Sequence, residues 1–276
     1  MKKTLLTICL VWMCFSLSAQ KIIDLSGKWS FSIDRQDNGE KEKWFSHTLN
    51  DCINLPGSMP EKLKGDEVTA KTQWTGSLYD SSYYYNPYME KYRKEGNIKF
   101  PFFLTPDKHY VGAAWYQKEV NIPADWKGER ILLFLERPHI ETTVWVNGQK
   151  TGMQNSLCVP HQYDITHYVR PGKCTITIRV DNRIKEINVG PDSHSITDQT
   201  QGNWNGIVGR ICLQTTPKTY FDDIQIYPEP EQKLARVKVV IKGTGTAKVK
   251  LSAESFNTDK KHIVPAIQQE IKLNKG

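Results

Sequence analysis

The segment Thr143-Val144-Trp145-Val146-Asn147-Gly148 decides the fold class of this chain. Its first four residues are β-branched or aromatic, which favours an extended strand over a helix. Asn147 and Gly148 both accept positive φ angles, and such a pair after a strand is the strongest short signal for a tight hairpin. The segment therefore predicts a β-strand that ends in a hairpin turn.

The sequence on both sides of this hairpin is also strand-like. Residues 131–135 form a continuous apolar run, which predicts a central strand buried on both faces. Residues 115–122 and 174–180 alternate with the period of two that a strand requires. In the second of these runs we expect Cys174, Ile176, Ile178 and Val180 to point inward and Thr175, Thr177 and Arg179 to point outward. Further strands are predicted at 25–33, 207–214 and 223–227, and one helical turn at 164–168.

Gly and Pro interrupt the chain at short intervals, and no segment has the pattern of a long amphipathic helix. About 257 residues follow the N-terminal segment described below, enough for one large β domain or two smaller ones. The predicted class is therefore all-β, with the strands arranged as a sandwich.

A second unit is predicted after the segment Pro228-Glu229-Pro230-Glu231, which has the composition of a linker. Alternating runs at 237–241 and 249–253, with one further strand expected at 263–273, then resemble the opening of another sandwich. An immunoglobulin-like sandwich needs about seven strands and about 100 residues. Only 46 residues follow Pro230, so we expect this sandwich to be incomplete and the sequence to be truncated.

The N-terminus has the pattern of a secretory signal peptide. Lys2 and Lys3 precede an apolar stretch at 5–17, and Ala19 supplies a small residue for cleavage. The apolar stretch is too short to span a bilayer comfortably. We therefore predict export across the inner membrane to the periplasm or cell surface, with no membrane span after cleavage. The predicted divisions are 1–19, 20–227 and 228–276.

Charge and cysteine content exclude several classes of function. The chain has 37 Lys and Arg against 30 Asp and Glu; without the two signal lysines the balance is 35 − 30 = +5. No basic block is present, so the charge predicts solubility and no nucleic-acid partner. Cys174 and Cys212 alternate with apolar residues, which favours buried free thiols, although a disulfide after export stays open. The spacings of His139, His161 and His194 match no zinc pattern, so no metal or other cofactor is predicted.

Residues 71–110 differ from the rest because they are rich in Trp, Tyr and Phe without a clean periodicity. We interpret this segment, here called the aromatic insertion, as a long ordered loop, and such loops are often functional. It either extends a substrate cleft or packs on a neighbouring domain. Packing is favoured, because so large an aromatic surface would otherwise promote aggregation.

Several stretches in a fixed order carry a family resemblance. They are residues 112–118, 122–126, 144–148, 163–166, 180–182 and 201–209, the last reading Gln-Gly-Asn-Trp-Asn-Gly-Ile-Val-Gly. Together they resemble the N-terminal sugar-binding domain of family 2 glycoside hydrolases, over roughly residues 22–227. This group contains β-galactosidases, β-glucuronidases and β-mannosidases. The aromatic insertion and residues 135–139 most resemble those of secreted bacterial β-galactosidases.

The resemblance implies a galactose-binding-like jelly-roll sandwich, then an immunoglobulin-like sandwich, then a (β/α)₈ barrel on which the first domain packs. It implies retaining hydrolysis of terminal β-linked sugars, most of all β-galactosides, by two glutamates of the barrel. No residue of this chain corresponds to those glutamates, so the chain alone is predicted to be inactive. Alternatives are a parent β-glucuronidase or β-mannosidase, a stand-alone carbohydrate-binding module, and a structural or adhesive array of sandwiches.

The polar stretch 192–205 is the best candidate for contact with a sugar, because it lacks alternation and lies between two predicted strands. Sugars are bound by planar polar groups that fix hydroxyls and by aromatic rings that stack on their C–H faces. The candidates for these roles are Asp198, Gln201, Asn203, Trp204 and Asn205. Alternatively, Trp204 packs on its surroundings, and Asp198 and Asn203 are turn residues. The resemblance implies a sugar-binding carboxylate in this loop, and Asp198 is the nearest match, although it lies further from Trp204 than the family carboxylate does.

Overall fold

The structure is a computed structural model that describes residues 21–76, 80–185, 192–194, 196–199, 202–255 and 262–273. The predicted signal peptide and Gln201 lie outside these residues. Within them the chain is built from antiparallel β-strands with four short 3₁₀ turns and one four-residue helix, which confirms the all-β class. The strands are β1 (Ile22–Asp24), β2 (Gly27–Asp34), β3 (Asp51–Leu55), β4 (Gly57–Ser58), β5 (Asp66–Glu67), β6 (Lys108–His109), β7 (Ala113–Ile122), β8 (Arg130–Pro138), β9 (Glu141–Val146), β10 (Gln149–Asn155), β11 (His161–Asp164), β12 (Gly172–Asp181), β13 (Gly206–Thr216), β14 (Tyr220–Glu229), β15 (Leu234–Lys242), β16 (Gly245–Ser255) and β17 (His262–Leu273).

Two large sheets form the sandwich of the first unit, which is of jelly-roll type, and β5 pairs with β6 in a separate two-stranded sheet. One sheet has the strand order β1-β13-β8-β11, with β4 also paired to β13. The other has the order β10-β9-β12-β7-β2-β3. The predicted Asn147-Gly148 hairpin joins β9 to β10, and both residues have positive φ.

The main core lies between these sheets and is apolar. Ile176, Ile178 and Val180 from the inner face of β12 are fully buried in it, together with Trp29 and Leu133 from β2 and β8. The inward residues of β12 are therefore the predicted ones. Burying side chains of this size stabilises the fold by roughly 1.5–3 kcal/mol each.

The outer face of the six-stranded sheet is also covered, which the alternation in the sequence does not indicate. Trp115 and Trp145 are 0% and 2% exposed, with ring centroids 4.9 Å apart. Trp44 and Phe45, from the segment between β2 and β3, pack on these two rings. A Cβ at Gly39 would lie 2.5 Å from Nε1 of the Trp115 ring, so only glycine fits where this segment crosses the sheet. Consequently Thr177 and Arg179, predicted to face outward into solvent, are buried.

Short strands account for most of the elements that the sequence did not reveal. Strands β1, β3, β10 and β11 lack a long alternating run. Each is extended because it pairs with a neighbouring strand. The helical turn predicted at 164–168 is a turn after β11, in which the amide of Tyr168 donates to the carbonyl of Ile165.

Strands β14 to β17 make a second unit of two hairpins. Strand β14 pairs with β15, and β16 pairs with β17. Residues 228–231, predicted as a linker, instead include the end of β14 and part of the turn into β15. Pairing therefore groups β14 with the second unit, whereas the predicted division at 228 divides this hairpin. Cys174 and Cys212 are buried and free, as predicted, and Cys52 and Cys158 are exposed and free.

An ionic cluster fixes the end of β12. The carboxylate of Asp181 is fully buried and lies 3.1 Å from Arg179, 2.6 Å from Arg183 and 2.9 Å from Lys185. Asp37 and Glu141 complete the cluster, so three cations face three carboxylates. Although burial opposes ionisation, hydrogen bonds from Arg183 and Lys185 hold the pKa of Asp181 well below its usual value.

We predict that Asp181→Asn lowers the free energy of unfolding by about 3–5 kcal/mol, because it leaves buried cations without their shared anion. Urea denaturation near neutral pH measures the change. Asp66→Asn is the matched control, since Asp66 pairs with Arg35 at an exposed site and we expect a loss below about 1 kcal/mol. Equal losses in the two variants would contradict the assignment.

Candidate functional site

The segment between β12 and β13 contains all five residues proposed from the sequence to contact sugar. Asp198, Asn203 and Asn205 are buried, and Trp204 is half-buried. Gln201 lies outside the described residues, so its role stays a prediction. The structure therefore brings four of the five residues into one short stretch at one end of the sandwich.

Asn205 anchors this segment to the core sheet. Its Nδ2 donates to the carbonyls of Gly112 and Val180, at 2.9 and 3.0 Å. Its Oδ1 accepts from the hydroxyl of Tyr116 at 2.7 Å. Because every polar group of the Asn205 side chain is used within the chain, this residue positions the segment.

Asn203 forms a second anchor together with Asn182, the residue that follows β12. The two side chains are linked by a hydrogen bond of 3.0 Å, from Nδ2 of Asn182 to Oδ1 of Asn203. Asn203 Nδ2 also donates to the carbonyl of Asn182 and to the hydroxyl of Thr75. Asn182 in turn accepts from the amide of Gly112. The start and the end of the loop are thereby held together.

Asp198 is 1% exposed, and its carboxylate is hydrogen-bonded by backbone amides of the chain itself. Oδ1 accepts from the amide of Asn203 and Oδ2 from the amide of Thr75, each at 2.6 Å. Nε2 of His109 lies 3.3 Å from Oδ2. In this arrangement Asp198 connects the loop to the aromatic insertion, and direct contact of Asp198 with a sugar stays a prediction.

Trp204 stacks on His139, the residue after β8. Their ring centroids are 4.5 Å apart and the planes differ by 22°. His139 is 4% exposed, and its Nε2 has no hydrogen-bond partner among the described residues. Burial lowers the pKa of His139 to about 4, while contacts with Asn203 and Asp198 oppose the shift. At neutral pH the ring is therefore uncharged and offers one nitrogen that the described part of the chain does not use.

The aromatic insertion packs against the same loop. Trp74 lies on the ring of His109, with centroids 4.8 Å apart, and also contacts Phe100 and Phe103. Tyr83, fully buried, stacks on Phe100. The insertion thus has a small aromatic core of its own. Nε1 of Trp74 is a second buried polar atom without a partner in the described ranges.

An indole face and an imidazole nitrogen without a partner among the described residues are groups of the kind that bind a polyol. A neutral imidazole exchanges a hydrogen bond with a hydroxyl in either direction, and an indole face packs on C–H groups. Within the described ranges, no group of three or more His, Cys, Asp or Glu side chains is arranged to hold a metal ion. None of the helices described there is long and apolar enough to cross a membrane.

From the sequence, His139 was weighed as a metal ligand and as part of the family resemblance at 135–139, but not as a partner of Trp204. The two residues are 65 positions apart, and the pairing of β8 with β13 brings them together. A signal was nevertheless present, because His139 follows a strand predicted to be buried and lies at the end of the sheet where the polar loop returns. Gly206 permits this return, since a Cβ there would lie 2.5 Å from the carbonyl oxygen of Gly57.

Comparison with known proteins identifies the domain that contains these residues. The sequence model described as "Glycosyl hydrolases family 2, sugar binding domain" matches residues 22–217. This range covers the whole of the first sandwich, and it ends just before β14.

Curated proteins similar to this chain include β-glucuronidases of animals and of a bacterium. A β-glucuronidase of Homo sapiens is 24% identical over 266 residues, which cover 86% of this chain and 35% of the relative. A β-glucuronidase of Paenibacillus borealis is 24% identical over 222 residues, covering 75% and 31%. The chain therefore spans about a third of the length of these relatives.

Solved structures with the same fold include the β-glucuronidase of Ruminococcus gnavus, with a TM-score of 0.58 and 16% identity, covering 93% of this chain and 39% of that one. A β-glucuronidase from an uncultured Clostridium sp. has a TM-score of 0.57 and 18% identity, covering 94% and 40%. At these identities the likeness shows the fold, which is that of a jelly roll followed by an immunoglobulin-like unit.

We predict that Asn205→Ala destabilises the chain by about 2–4 kcal/mol, because it leaves two buried carbonyls and a buried tyrosine hydroxyl without partners. Urea denaturation measures the effect. Asn54→Ala, at an exposed position of β3, is the control and should change the free energy of unfolding by less than about 0.5 kcal/mol. A small loss at Asn205 would show that this anchor is dispensable.

His139 also predicts a dependence of stability on pH. Its folded pKa lies below the unfolded value near 6.5, so the unfolded state binds the proton more readily and stability falls as pH drops from about 6.5 towards 4. We expect a loss of about 2 kcal/mol from this residue between about pH 7 and pH 4.5, and His139→Asn should remove it.

The pH experiment compares urea denaturation of both proteins at the two pH values. Burial also lowers the pKa of His161, so some pH dependence should remain in the variant. His167→Asn, at an exposed position, is the control. If His139→Asn leaves the pH dependence unchanged, the imidazole is not a buried neutral group.

Proposed function

This chain belongs to family 2 of the glycosyl hydrolases, and from that premise we propose that it supplies the sugar-binding part of a glycosidase that removes terminal β-linked sugars. The observation that carries the proposal is the pair formed by Trp204 and His139. A half-buried indole and a buried imidazole with a free Nε2 lie together at the end of the sandwich. A sugar ring would stack on the face of Trp204 opposite His139, and the imidazole would hold the indole in place from behind.

Catalysis in the proposed enzyme requires two carboxyl groups about 5–5.5 Å apart for retention of configuration. One protonates the leaving oxygen and the other attacks the anomeric carbon. The family resemblance assigns both to a barrel, on which this domain packs. We therefore propose that the chain forms one wall of a composite site and has no hydrolytic activity by itself.

The chemistry of the site favours a neutral sugar. His139 is uncharged at neutral pH, and the one ionisable acid beside it, Asp198, is already bound to Thr75 and Asn203. Among the described residues, no Lys or Arg hydrogen-bonds to Asp198, Asn203 or His139, and a uronate would need such a cation as a counter-ion. We propose β-galactosides as substrates. The names of the relatives favour β-glucuronides as the second candidate.

Export is part of the proposal. The basic start, apolar stretch and small residue at 2–19 fit a signal peptide, and they would deliver the domain to the periplasm or cell surface. There it would meet oligosaccharides or polysaccharides from outside the cell.

We predict that the purified chain does not hydrolyse nitrophenyl β-galactoside, and that the complete enzyme does so faster than it hydrolyses the matching β-glucuronide. Initial rates measured with both substrates test these statements. Turnover by the chain alone, after removal of contaminating activity, would contradict the first. A preference for the glucuronide would replace the proposed substrate.

In the complete enzyme, Trp204→Ala should lower kcat/KM by about tenfold, the loss expected for one stacked ring. His139→Ala, which removes the ring behind the indole, should lower kcat/KM by a smaller factor. His167→Ala, at an exposed position in the turn after β11, is the control and should leave kcat/KM unchanged. If both site variants match wild type, the pair does not contact the substrate.

A further inference from the structure

A groove lies on the aromatic insertion, apart from the pair formed by Trp204 and His139. Its volume is about 730 Å³, within the range of ligand-binding clefts. Its lining includes the charged side chains of Glu67, Lys71, Arg93, Glu95 and Asp107 and the hydroxyl groups of Thr69 and Thr105. Neither Trp204 nor His139 lines it, so it is separate from the site described above.

Internal contacts hold both walls of this groove. On one side the Thr69 amide donates to the Thr72 hydroxyl at 2.8 Å, closing a turn. On the other the Thr105 hydroxyl accepts from the amide of the buried Phe100 at 3.1 Å. At its base Arg93 donates to the carbonyl of Tyr83 and lies over the Tyr83 ring. A groove shaped in advance loses little conformational entropy when it binds a ligand.

The lining indicates the class of ligand. Glu67 is paired with Lys108, so Glu95 and Asp107 face the two cations Lys71 and Arg93. The charges of the lining therefore balance, which favours a ligand without net charge. Glu95 and Asp107 form no ion pair within the described ranges, which leaves their oxygens available to accept from hydroxyl groups. Half-buried Ile98 and Pro106 supply apolar surface for the C–H faces of a sugar.

We infer that this groove is a second carbohydrate-binding site, which takes a neutral oligosaccharide. Carboxylates accept from adjacent hydroxyls, Lys71 donates to a ring or hydroxyl oxygen, and the apolar wall contacts the sugar faces. The inference rests on the proposed function, because that function brings oligosaccharides to the chain. The groove would hold a part of the chain-like substrate distant from the bond that is cleaved.

The experiment is isothermal titration calorimetry of the whole 276-residue chain with β-1,4-galactotetraose, cellotetraose and mannotetraose, and with trigalacturonic acid as the acidic comparison. We expect at least one neutral tetrasaccharide to bind and the acidic one not to bind. Glu95→Gln with Asp107→Asn should weaken that binding by about tenfold, since each replaces an acceptor oxygen by a donor without changing shape.

Two controls separate this inference from the proposed function. Glu90→Gln, in the same segment but paired with Lys94 outside the groove, should bind as wild type does. Trp204→Ala with His139→Ala should also retain the groove's affinity. If binding survives Glu95→Gln with Asp107→Asn but is lost in the Trp204 and His139 variant, the groove is not a carbohydrate site. The proposed function is then unaffected.

Other outcomes also decide the question. Absence of binding to every neutral tetrasaccharide at millimolar concentration overturns the inference. Equal binding of trigalacturonic acid contradicts the neutral class. Tetralysine is added as a further probe, because the carboxylates of Glu95 and Asp107 would also attract a basic peptide. If tetralysine binds and the sugars do not, the groove is a peptide site.

Discussion

Burial of strand β12 on both faces is the constraint on which the rest of this structure depends. Its inner face contributes Ile176, Ile178 and Val180 to the core between the sheets, so its position is fixed by apolar packing. Its outer face carries Thr177 and Arg179, which are covered as well. A buried guanidinium needs carboxylates at hydrogen-bond distance, because an unpaired charge in such a place costs several kcal/mol. Asp181, on the same strand, supplies one of these carboxylates and thereby sets where the strand ends.

The candidate site begins where this strand ends. Asn182 follows Asp181 directly and binds Asn203, and Asn205 binds the carbonyl of Val180. Beyond the end of β12, the side-chain amides of these three asparagines take the place of the hydrogen bonds between strands. They can do so because a side-chain amide has both donors and an acceptor. The loop between them is therefore held at both ends. Trp204, between two anchored residues, reaches His139 with its ring in a defined orientation.

The buried polar groups of this region divide into two kinds. Most of them, including Asp198, Asn203 and Asn205, have all or most of their hydrogen bonds within the chain, so they are positioning residues. Nε2 of His139 and Nε1 of Trp74 are without a partner in the described ranges. Leaving such atoms unpaired costs about 1–3 kcal/mol each, which folding tolerates more readily where a ligand completes the bond.

The sequence by itself determined the all-β class, the long strands, the Asn147-Gly148 hairpin, the second unit and the polar loop at 192–205. These follow from local period, turn chemistry and composition, each of which acts over a few residues. It also led to the family through an ordered set of short stretches. Tertiary structure alone decided the rest. Strands such as β10 and β11 exist because a longer neighbour pairs with them, and the outward face of β12 is buried because the segment between β2 and β3 crosses it. The roles within the loop were also decided there, because a carboxylate such as that of Asp198 binds either ligand or backbone according to which amides the fold places beside it.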